Sequence, residues 1–283
     1  MASKVGVWGL GSMGLGMAQS LIRGRHAVAG FDPRGVTLDG AEEISVAEMD
    51  IAVLVVLNAA QTATVIDEIL PDLRPGAVVI SCATVPPEFA RTMAMRCSER
   101  DVLYLDAPIS GGAAKAADGA LTIMASGTGA AFKAAGPALD SMAQKVFVLG
   151  DHAGPGSAMK AVNQMLAGTH IAAMAEAMVF GMTQGVTPEQ FLDVIPSCAG
   201  TSWMLENRGP HVRDGDYTPR SAVAIWLKDL AIVGDIAADA GIDMPLTETA
   251  LARFRAAEAA GLVSEDDAAV AKIYAAQAGV TLP

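Results

Sequence analysis

The sequence is poor in cysteine and in basic residues, and each shortage excludes a class of protein. Its three cysteines, Cys82, Cys97 and Cys198, form no CxxC pair and have no histidine nearby at metal-ligand spacing. This pattern argues against a disulfide framework and a metal site, and it predicts reduced, buried thiols. Nineteen Lys and Arg stand against 31 Asp and Glu, a net charge of −12 that repels nucleic-acid phosphates. We therefore expect no metal cofactor and no nucleic-acid partner.

Long hydrophobic runs and an export signal are lacking as well. The longest apolar run, residues 51–60 with one Asn in it, is about half as long as a membrane-spanning helix. The first four residues lead straight into a strand-like segment, without a basic region, a long apolar stretch or a cleavage site. We expect a soluble, cytoplasmic protein that does not bind membranes.

The chain does contain enough hydrophobic material for two domains, with 52% hydrophobic residues in a length of 283. Up to about residue 150, short apolar runs alternate with helix-compatible stretches, at residues 5–8, 27–31, 51–57, 77–80, 103–105, 121–125 and 145–149. This alternation predicts a doubly wound α/β domain with a parallel sheet over residues 1–153. Residues 154–283 have helical spacing throughout, which predicts an all-helical domain. Its first helix is expected over Ser157–Gly181, with an interruption near Gly168.

A glycine-rich loop follows the first predicted strand and precedes an amphipathic segment. In the Rossmann type of α/β domain, Gly9 makes the tight turn, Gly11 lets the backbone approach a pyrophosphate, and Gly14 lets the helix pack on the strand. The N–H groups at the helix start then face the phosphates. The residues expected to hold a dinucleotide are Gly9, Leu10, Gly11, Ser12, Met13 and Gly14.

Asp32 ends the second predicted strand, 18 residues after Gly14. A carboxylate at this point accepts hydrogen bonds from the ribose hydroxyls of NAD and repels the 2′-phosphate of NADP. Arg34 lies two residues on and could still reach that phosphate. NAD is therefore the expected cofactor and NADP the alternative. The simpler interpretation is a tight turn with a solvated aspartate.

Two further segments carry candidate chemistry. Asp106–Gly112 leaves the carboxyl end of a predicted strand, and a Ser110 hydroxyl beside two glycines suits a substrate carboxylate, with an ordinary turn as the alternative. Lys160 lies in the first turns of the long predicted helix, with Gln164 at i+4 on the same face. A partly desolvated ammonium near the positive end of a helix can exchange protons near neutrality, so Lys160 is a candidate general acid–base. A merely solvated lysine is the alternative.

The chain resembles the 3-hydroxyisobutyrate dehydrogenase family of β-hydroxyacid dehydrogenases. Four motifs occur in the order seen in that family and span nearly the whole chain: Gly9–Gly14, Asp106–Gly112, Gly154–Gln164 and Lys228–Leu230. Within the family, Thr201–Arg208 and Asp214–Ser221 look most like the L-threonate dehydrogenases. The resemblance implies a hydride transfer between a small hydroxy acid and NAD, at a site between the two domains, and a homodimer or homotetramer.

The resemblance also assigns roles to matching residues. Lys160 would be the catalytic acid–base, and Gln164 would stand where most members have an Asn that orients the substrate. Lys228 would help to close the cofactor and substrate site. The substrate carboxylate would be bound by Ser110, Gly111 and Gly112, and the nicotinamide ribose would be lined by Leu57, Asn58 and Thr84.

Departures from the family pattern leave the substrate open. The amide of Gln164 extends one methylene further than the usual Asn, which favours a longer, hydroxylated acid of the L-threonate kind. Asn163, in contrast, stands where the resemblance to threonate enzymes implies a His. 3-Hydroxyisobutyrate oxidation and tartronate semialdehyde reduction are the alternatives in the family, an imine reductase is a rival on the same fold, and a non-catalytic dinucleotide-binding protein is a distant one. Trp203 either walls the substrate pocket or fills the core. Tyr217 and Arg220 either support the fold or touch a hydroxylated substrate.

Overall fold

The computed structural model describes residues 2–283, which pack as two compact units that divide between Lys160 and Ala161. The sequence analysis placed the domain boundary at residues 153 and 154, at the end of the segment rich in Gly and Pro. The observed division lies further on, inside a long helix. It leaves Lys160 in the α/β unit.

The first unit is built on a five-stranded parallel sheet. The strands are β1 (Lys4–Trp8), β2 (Ala27–Phe31), β3 (Ile51–Leu54), β4 (Val78–Ser81) and β5 (Leu103–Asp106), in the order β2-β1-β3-β4-β5. They are connected by α1 (Ser12–Arg23), α2 (Ala59–Ile69) and α3 (Pro87–Ser98). The central strands β3 and β4 are buried at every position, which explains their continuous apolar runs. The prediction of a doubly wound α/β fold followed by an all-helical part is confirmed.

The carboxyl ends of all five strands lie in one row. Trp8 pairs with Phe31 on one side and with Leu54 on the other, and the row continues through Ser81 to Asp106. The chain changes direction between the two neighbours of β1, which in this fold opens a crevice at the strand ends. Each predicted site segment before residue 113 therefore leaves the sheet from the same edge.

A second, smaller sheet was not predicted. It contains β6 (Ile109–Ser110), β7 (Leu121–Ala125) and β8 (Ala143–Val148), with β6 antiparallel and β8 parallel to β7, and it includes α4 (Gly112–Asp118) and α5 (Gly129–Met142) in its connections. The sequence analysis assigned the runs of β7 and β8 to the main sheet. That assignment was wrong, because β6 is too short to leave a pattern and β8 is largely exposed.

The second unit is helical. It contains most of α6 (Pro155–Thr183), then α7 (Pro188–Val194), α8 (Trp203–Asp214), α9 (Val223–Asp239), α10 (Pro245–Ala259) and α11 (Val270–Ala278). Its core is formed by apolar residues of all these helices, among them Met174, Phe191, Val212, Leu230, Phe254 and Val270. A buried face on each helix thus replaces the sheet as the packing surface.

Helix α6 runs without interruption, so the predicted break at Gly168 was wrong. A Cβ added at Gly168 would lie 2.9 Å from side-chain atoms of Trp226 and of Leu230 on α9. Glycine at this position permits close approach of two helices and does not end one. The cost of glycine in a helix, about 1 kcal/mol, is small beside the packing of this core.

Helix α6 is also long and apolar enough to cross a membrane by length and composition alone, which the sequence analysis did not foresee. Ile171, Met174, Ala175 and Met178 on this helix belong to the core of the helical unit. One face of α6 therefore packs in the core of the helical unit.

The cysteines only partly match the prediction of buried thiols. Cys82 and Cys97 are buried, and burial raises the pKa of each thiol to about 12. Cys198 is exposed, because it follows a short turn after α7 and does not lie in an apolar element. All three thiols are free.

Candidate active site

The glycine loop after β1 has no room for side chains at two of its positions. Gly9 has φ +91°, and a Cβ there would lie 2.5 Å from the carbonyl oxygen of Val55. A Cβ at Gly14 would lie 1.8 Å from the carbonyl oxygen of Gly9. Gly11 differs, since the nearest atom to an added Cβ is 3.9 Å away, on Arg34. Gly9 and Gly14 thus shape the loop, while Gly11 leaves space above it.

The start of α1 is suited to a phosphate. Within residues 2–283, no side chain caps this helix, whose N-cap is Gly11, and its first turn contains no acidic residue. Its first N–H groups therefore lack side-chain acceptors and lie beside the open space at Gly11. This donor set fits the pyrophosphate of a dinucleotide. Leu10 differs from the other loop residues, because its side chain is in the core and its N–H donates to Asp32.

Asp32 stands at the end of β2 with a side chain only 3% exposed. Its carboxylate accepts from the N–H of Leu10 at 2.8 Å, and from the N–H, Nε and Nη2 of Arg34 at 3.0, 2.9 and 2.8 Å. The hydrogen bonds from Arg34 hold the pKa of Asp32 far below its usual range. Two of the four acceptor positions are filled by a guanidinium that is itself exposed. Two ribose hydroxyls offer the same number of donors, so Asp32 fits the adenine ribose of NAD.

Replacing Asp32 with alanine is expected to raise the Kd of NADH about tenfold or more, because hydrogen bonds to a charged group contribute about 1.5–3 kcal/mol each. The Kd of NADPH should stay constant or fall, since the repulsion of its 2′-phosphate is removed. Fluorescence titration of both cofactors measures the change, with Asp39→Ala, an exposed position on the same loop, as the control. An unchanged preference between NADH and NADPH would exclude Asp32 from cofactor selection.

The predicted ribose-lining residues follow β3 and β4. Asn58 is the N-cap of α2, and its Oδ1 accepts from the N–H of Gln61 at 2.9 Å, while Gln61 Oε1 accepts from the N–H of Leu57 at 2.8 Å. Leu57 extends an exposed side chain, and Thr84 is half-buried after the end of β4. These residues lie at the edge of the sheet where the carboxyl ends of the five strands meet. Their contact with a nicotinamide ribose stays a prediction.

The candidate carboxylate-binding segment lies between β6 and α4. Gly111 has φ +141° and Gly112 has φ +79°, conformations that favour glycine. A Cβ at Gly111 would lie 3.0 Å from the side chain of Lys115. The two glycines thus turn the chain sharply directly after Ser110, whose side chain is half-buried.

Lys160 is brought to the same segment. Its side chain is largely withdrawn from water, with 8% of the residue exposed, and its Nζ donates to the carbonyl oxygen of Ile109 at 2.9 Å. Ile109 immediately precedes Ser110. The alternative of a solvated lysine was therefore wrong. The structure places an amine beside the proposed carboxylate-binding segment, where proton transfer is possible.

Gln164 and Lys228 meet at a third residue in the helical unit. Asp229, which is 2% exposed, accepts from Gln164 Nε2 at 2.5 Å and pairs with Lys228 Nζ at 2.5 Å. A carboxylate only accepts hydrogen bonds, so the NH₂ group of Gln164 faces it, and Gln164 Oε1 accepts from Asn163 at 2.9 Å. Asp229 thus fixes which end of the amide is the acceptor.

Sequence reasoning did not identify Asp229 as functional. It lies on the apolar face of α9, three residues after the buried Trp226 and next to the buried Leu230. An acidic residue on such a face is costly to bury unless it is paired. An aspartate within an apolar helical pattern was therefore the sequence signal that could have identified Asp229.

The segment that most resembles the L-threonate dehydrogenases is largely engaged in internal pairs. Arg208 pairs with the buried Asp267, and Asp266 accepts from His211 Nδ1 at 2.8 Å and from the N–H of Arg220 at 3.0 Å. For Arg220 this supports a role in the fold. The Tyr217 side chain packs against the core of the helical unit, and Lys272 Nζ lies 4.0 Å from the centroid of its ring.

Trp203 begins α8 and is 59% exposed. It does not fill the core, so that alternative was wrong. The preceding Ser202 caps the helix by accepting from the N–H of Leu205 at 3.1 Å. The large apolar side chain of Trp203 is exposed and available for contact with another molecule. The place of Trp203 in a substrate pocket stays a prediction.

Two protein-family models match the chain. Residues 4–150 match the NAD binding domain of 6-phosphogluconate dehydrogenase, and residues 154–274 match the NAD-binding domain of NADP-dependent 3-hydroxyisobutyrate dehydrogenase. The first match covers the parallel sheet and the glycine loop. The second covers the start of α6, with Lys160, and nearly all of the helical unit.

Similar proteins extend over the whole chain. It is 45% identical to an L-threonate dehydrogenase of Cupriavidus necator, across 100% of this chain and 99% of that protein. It is 42% identical to an L-threonate dehydrogenase of Escherichia coli K12, across 99% and 96%. A crystal structure described as 3-hydroxyisobutyrate dehydrogenase from Salmonella typhimurium superposes with a TM-score of 0.90 at 42% identity, covering 96% of this chain and 99% of that one.

Proposed function

The chain belongs to the 3-hydroxyisobutyrate dehydrogenase family and is an NAD(P)-dependent hydroxyacid dehydrogenase, and on this premise we propose that it oxidises L-threonate or a closely similar hydroxylated acid with NAD. The observation that carries the proposal is the buried amine of Lys160 at 2.9 Å from the Ile109 carbonyl, next to Ser110. Identities of 41–45% to several L-threonate dehydrogenases support the substrate.

The chain supplies acid–base chemistry and orientation. When bound, NAD would supply the acceptor for a hydride from the carbinol carbon. In the proposed reaction Lys160, in its neutral form, takes the hydroxyl proton, and the Ile109 carbonyl accepts a hydrogen bond from the resulting ammonium. Ser110, Gly111 and Gly112 bind the substrate carboxylate. The alcohol thus becomes a carbonyl group, one proton is gained by Lys160, and the reverse direction uses the same groups.

Gln164 is proposed to select the hydroxylated substrate. Its amide is held by Asp229 on one side and Asn163 on the other, which leaves one N–H and one acceptor position of Oε1 for a ligand. A shorter amide would not reach Asp229 in the same way. An acid with several hydroxyl groups has donors and acceptors for both positions, while 3-hydroxyisobutyrate has a methyl group instead.

Shortening this amide should change the choice of substrate. We expect Gln164→Asn to lower kcat/KM for L-threonate about tenfold, the cost of roughly one hydrogen bond to a polar group, and to leave 3-hydroxyisobutyrate within about threefold. Steady-state kinetics with both acids measure the ratio, and Gln184→Asn at an exposed position is the control. An equal loss for the two acids would contradict a selective role of Gln164.

Charge and surface support the remaining parts of the proposal. The carboxylate of Asp32 favours NAD over NADP, as described above. Val162, Leu166 and Phe180 form an exposed apolar stripe along α6 together with Ala173, and such a stripe is typical of an interface. We propose a homodimer or homotetramer that uses this stripe, in the cytoplasm.

A second candidate is the oxidation of 3-hydroxyisobutyrate, which the description of the Salmonella structure favours. The two are separated by following absorbance at 340 nm with L-threonate, D-threonate, erythronate, 3-hydroxyisobutyrate and glycerate, each with NAD and with NADP. The proposal expects the highest kcat/KM for L-threonate with NAD. A higher value for 3-hydroxyisobutyrate would replace it with the second candidate, and activity with none of the acids would refute both.

A further inference from the structure

The carboxylate of Asp106 has no part in the reaction described above, although it lies at the start of the helix that carries Lys160. It ends β5 and is 1% exposed. Burial raises the pKa of Asp106, and hydrogen bonds from Ser157 and Gly154 act in the opposite direction. A carboxylate withdrawn from water is strongly unfavourable unless donors surround it.

Those donors come mainly from the first turn of α6. Asp106 Oδ2 accepts from the N–H of Gly154 at 3.0 Å and from the N–H of Ser157 at 2.9 Å, and Oδ1 accepts from Ser157 Oγ at 2.6 Å. The helix cannot cap itself by the usual means, because Gly154 precedes it without a side chain and Pro155 has no N–H. Asp106 provides the missing cap from a distant strand.

Ser126 extends this cap to one more N–H group. Its Oγ accepts from the N–H of Gly156 at 2.9 Å and donates to Asp106 Oδ2 at 3.2 Å. A Cβ at Gly156 would lie 2.5 Å from the Met124 carbonyl oxygen and 2.8 Å from that of Asp106. The start of α6 is therefore seated tightly against the ends of two strands, which explains the Gly-Pro-Gly sequence at this point.

Lys160 lies three residues after Ser157 on the same helix, slightly less than one turn further along. Its Nζ is bound to the carbonyl of Ile109, three residues after Asp106. The segment Asp106–Ile109 therefore contacts α6 at two points: Asp106 caps the helix, and the carbonyl of Ile109 binds Lys160. A rigid helix start and a fixed amine position are two results of the same set of contacts, and the negative charge also matches the positive end of the helix.

We infer that Asp106 is a positioning residue for the dehydrogenase reaction, which sets the place of Lys160 by closing the N-terminus of α6. This inference rests on the proposed role of Lys160. It adds a residue that contacts neither reacting atom. Loss of the carboxylate should displace the amine and affect the proton-transfer step, while the glycine loop that binds the cofactor stays intact.

The test is Asp106→Asn in the full chain. The amide keeps the shape but turns an NH₂ group toward donors of Ser157 or Gly154. We expect kcat to fall about 100-fold, the usual cost of a misplacement near 1 Å, with the Kd of NADH within about twofold of the original. The solvent deuterium isotope effect on kcat should rise, because proton transfer becomes rate-limiting. Amide hydrogen exchange over residues 154–160 should become faster.

Two variants serve as controls. Asp140→Asn removes one charge at an exposed position of α5 and should change none of these quantities. Ser126→Ala removes two hydrogen bonds of the cap, the one from Gly156 and the one to Asp106, but retains the carboxylate. It should therefore lower Tm and keep kcat within about threefold. If kcat falls in step with Tm in both cap variants, or if Asp106→Asn retains kcat, the positioning role is refuted.

Failure of this inference is distinguishable from failure of the proposed function. Wild-type turnover with the acid panel is measured first, and the variants are compared on the best acid. Retained kcat in Asp106→Asn, beside an active wild type, refutes positioning alone. If the wild type oxidises none of the acids, the proposed function fails. In that case, faster hydrogen exchange over residues 154–160 would show only that Asp106 caps the helix, and the positioning role would be refuted together with the proposed function.

Discussion

Replacing Lys160 with alanine should lower kcat for hydroxy-acid oxidation by about 10²–10⁴-fold, the usual contribution of a positioned proton-transfer group. The Kd of NADH should stay within about twofold, because the glycine loop joins β1 to α1 and Asp32 follows β2, whereas Lys160 lies on α6. The amine is buried and bound to the Ile109 carbonyl, so its removal takes the proposed proton acceptor away from that position. Stopped-flow measurement of NADH formation, together with fluorescence titration of NADH, separates the two quantities.

Lys133→Ala is the matched control for this experiment. Lys133 is exposed on α5 and its removal should change neither kcat nor the Kd of NADH. A Lys160→Ala variant that keeps more than a tenth of the original kcat would remove the lysine from the mechanism. A variant that loses NADH binding as well would assign Lys160 to the cofactor instead.

A methyl group at Gly11 should weaken NADH binding by about 10- to 100-fold, which corresponds to 1.4–2.8 kcal/mol and to the typical cost of overpacking. Gly11 precedes α1, and within residues 2–283, its chain neighbours aside, the nearest atom to an added Cβ is 3.9 Å away, on Arg34. The free protein therefore has room for alanine at this position. If the pyrophosphate approaches the backbone at Gly11, the alanine methyl group clashes with it. Titration with NADH and thermal unfolding of the free protein measure the two effects.

Gly14→Ala is the contrasting variant in the same loop. Its Cβ would lie 1.8 Å from the Gly9 carbonyl oxygen, so the loop and helix must shift even without a ligand. We expect Tm to fall for Gly14→Ala and to stay nearly constant for Gly11→Ala. If Gly11→Ala binds NADH normally, the phosphates do not approach there, and the crevice at the strand ends needs another assignment.

Much of the α/β unit could be predicted because its information is local. The runs at residues 27–31 and 121–125 form strands at the predicted bounds, and the loop Gly9–Gly14 lies between β1 and α1 as expected. Parallel strands place their carboxyl ends at one edge, so the segments after them could be gathered into one region without knowledge of the contacts. The family could be recognised for the same reason, since its motifs are short and ordered along the chain.

The contacts that join distant residues could not be predicted in this way. Asp106 and Ser157 are separated by 51 positions, and Gln164 and Asp229 by 65. A periodic pattern reports whether a position is buried, but it does not report which polar partner is found there. The interruption expected at Gly168 failed for the same reason, because the need for glycine comes from α9, a different helix.

By itself the sequence determined the order of the strands of the main sheet, the dinucleotide loop, the acidic end of β2 and the lysine near the start of α6. These follow from backbone preferences and hydrophobic periodicity, which act over a few residues. Only the tertiary structure decided that Asp106 caps the helix bearing Lys160 and that Asp229 joins Gln164 to Lys228. A buried carboxylate is stable only where the folded chain collects donors around it, and those donors come from segments that meet only after folding.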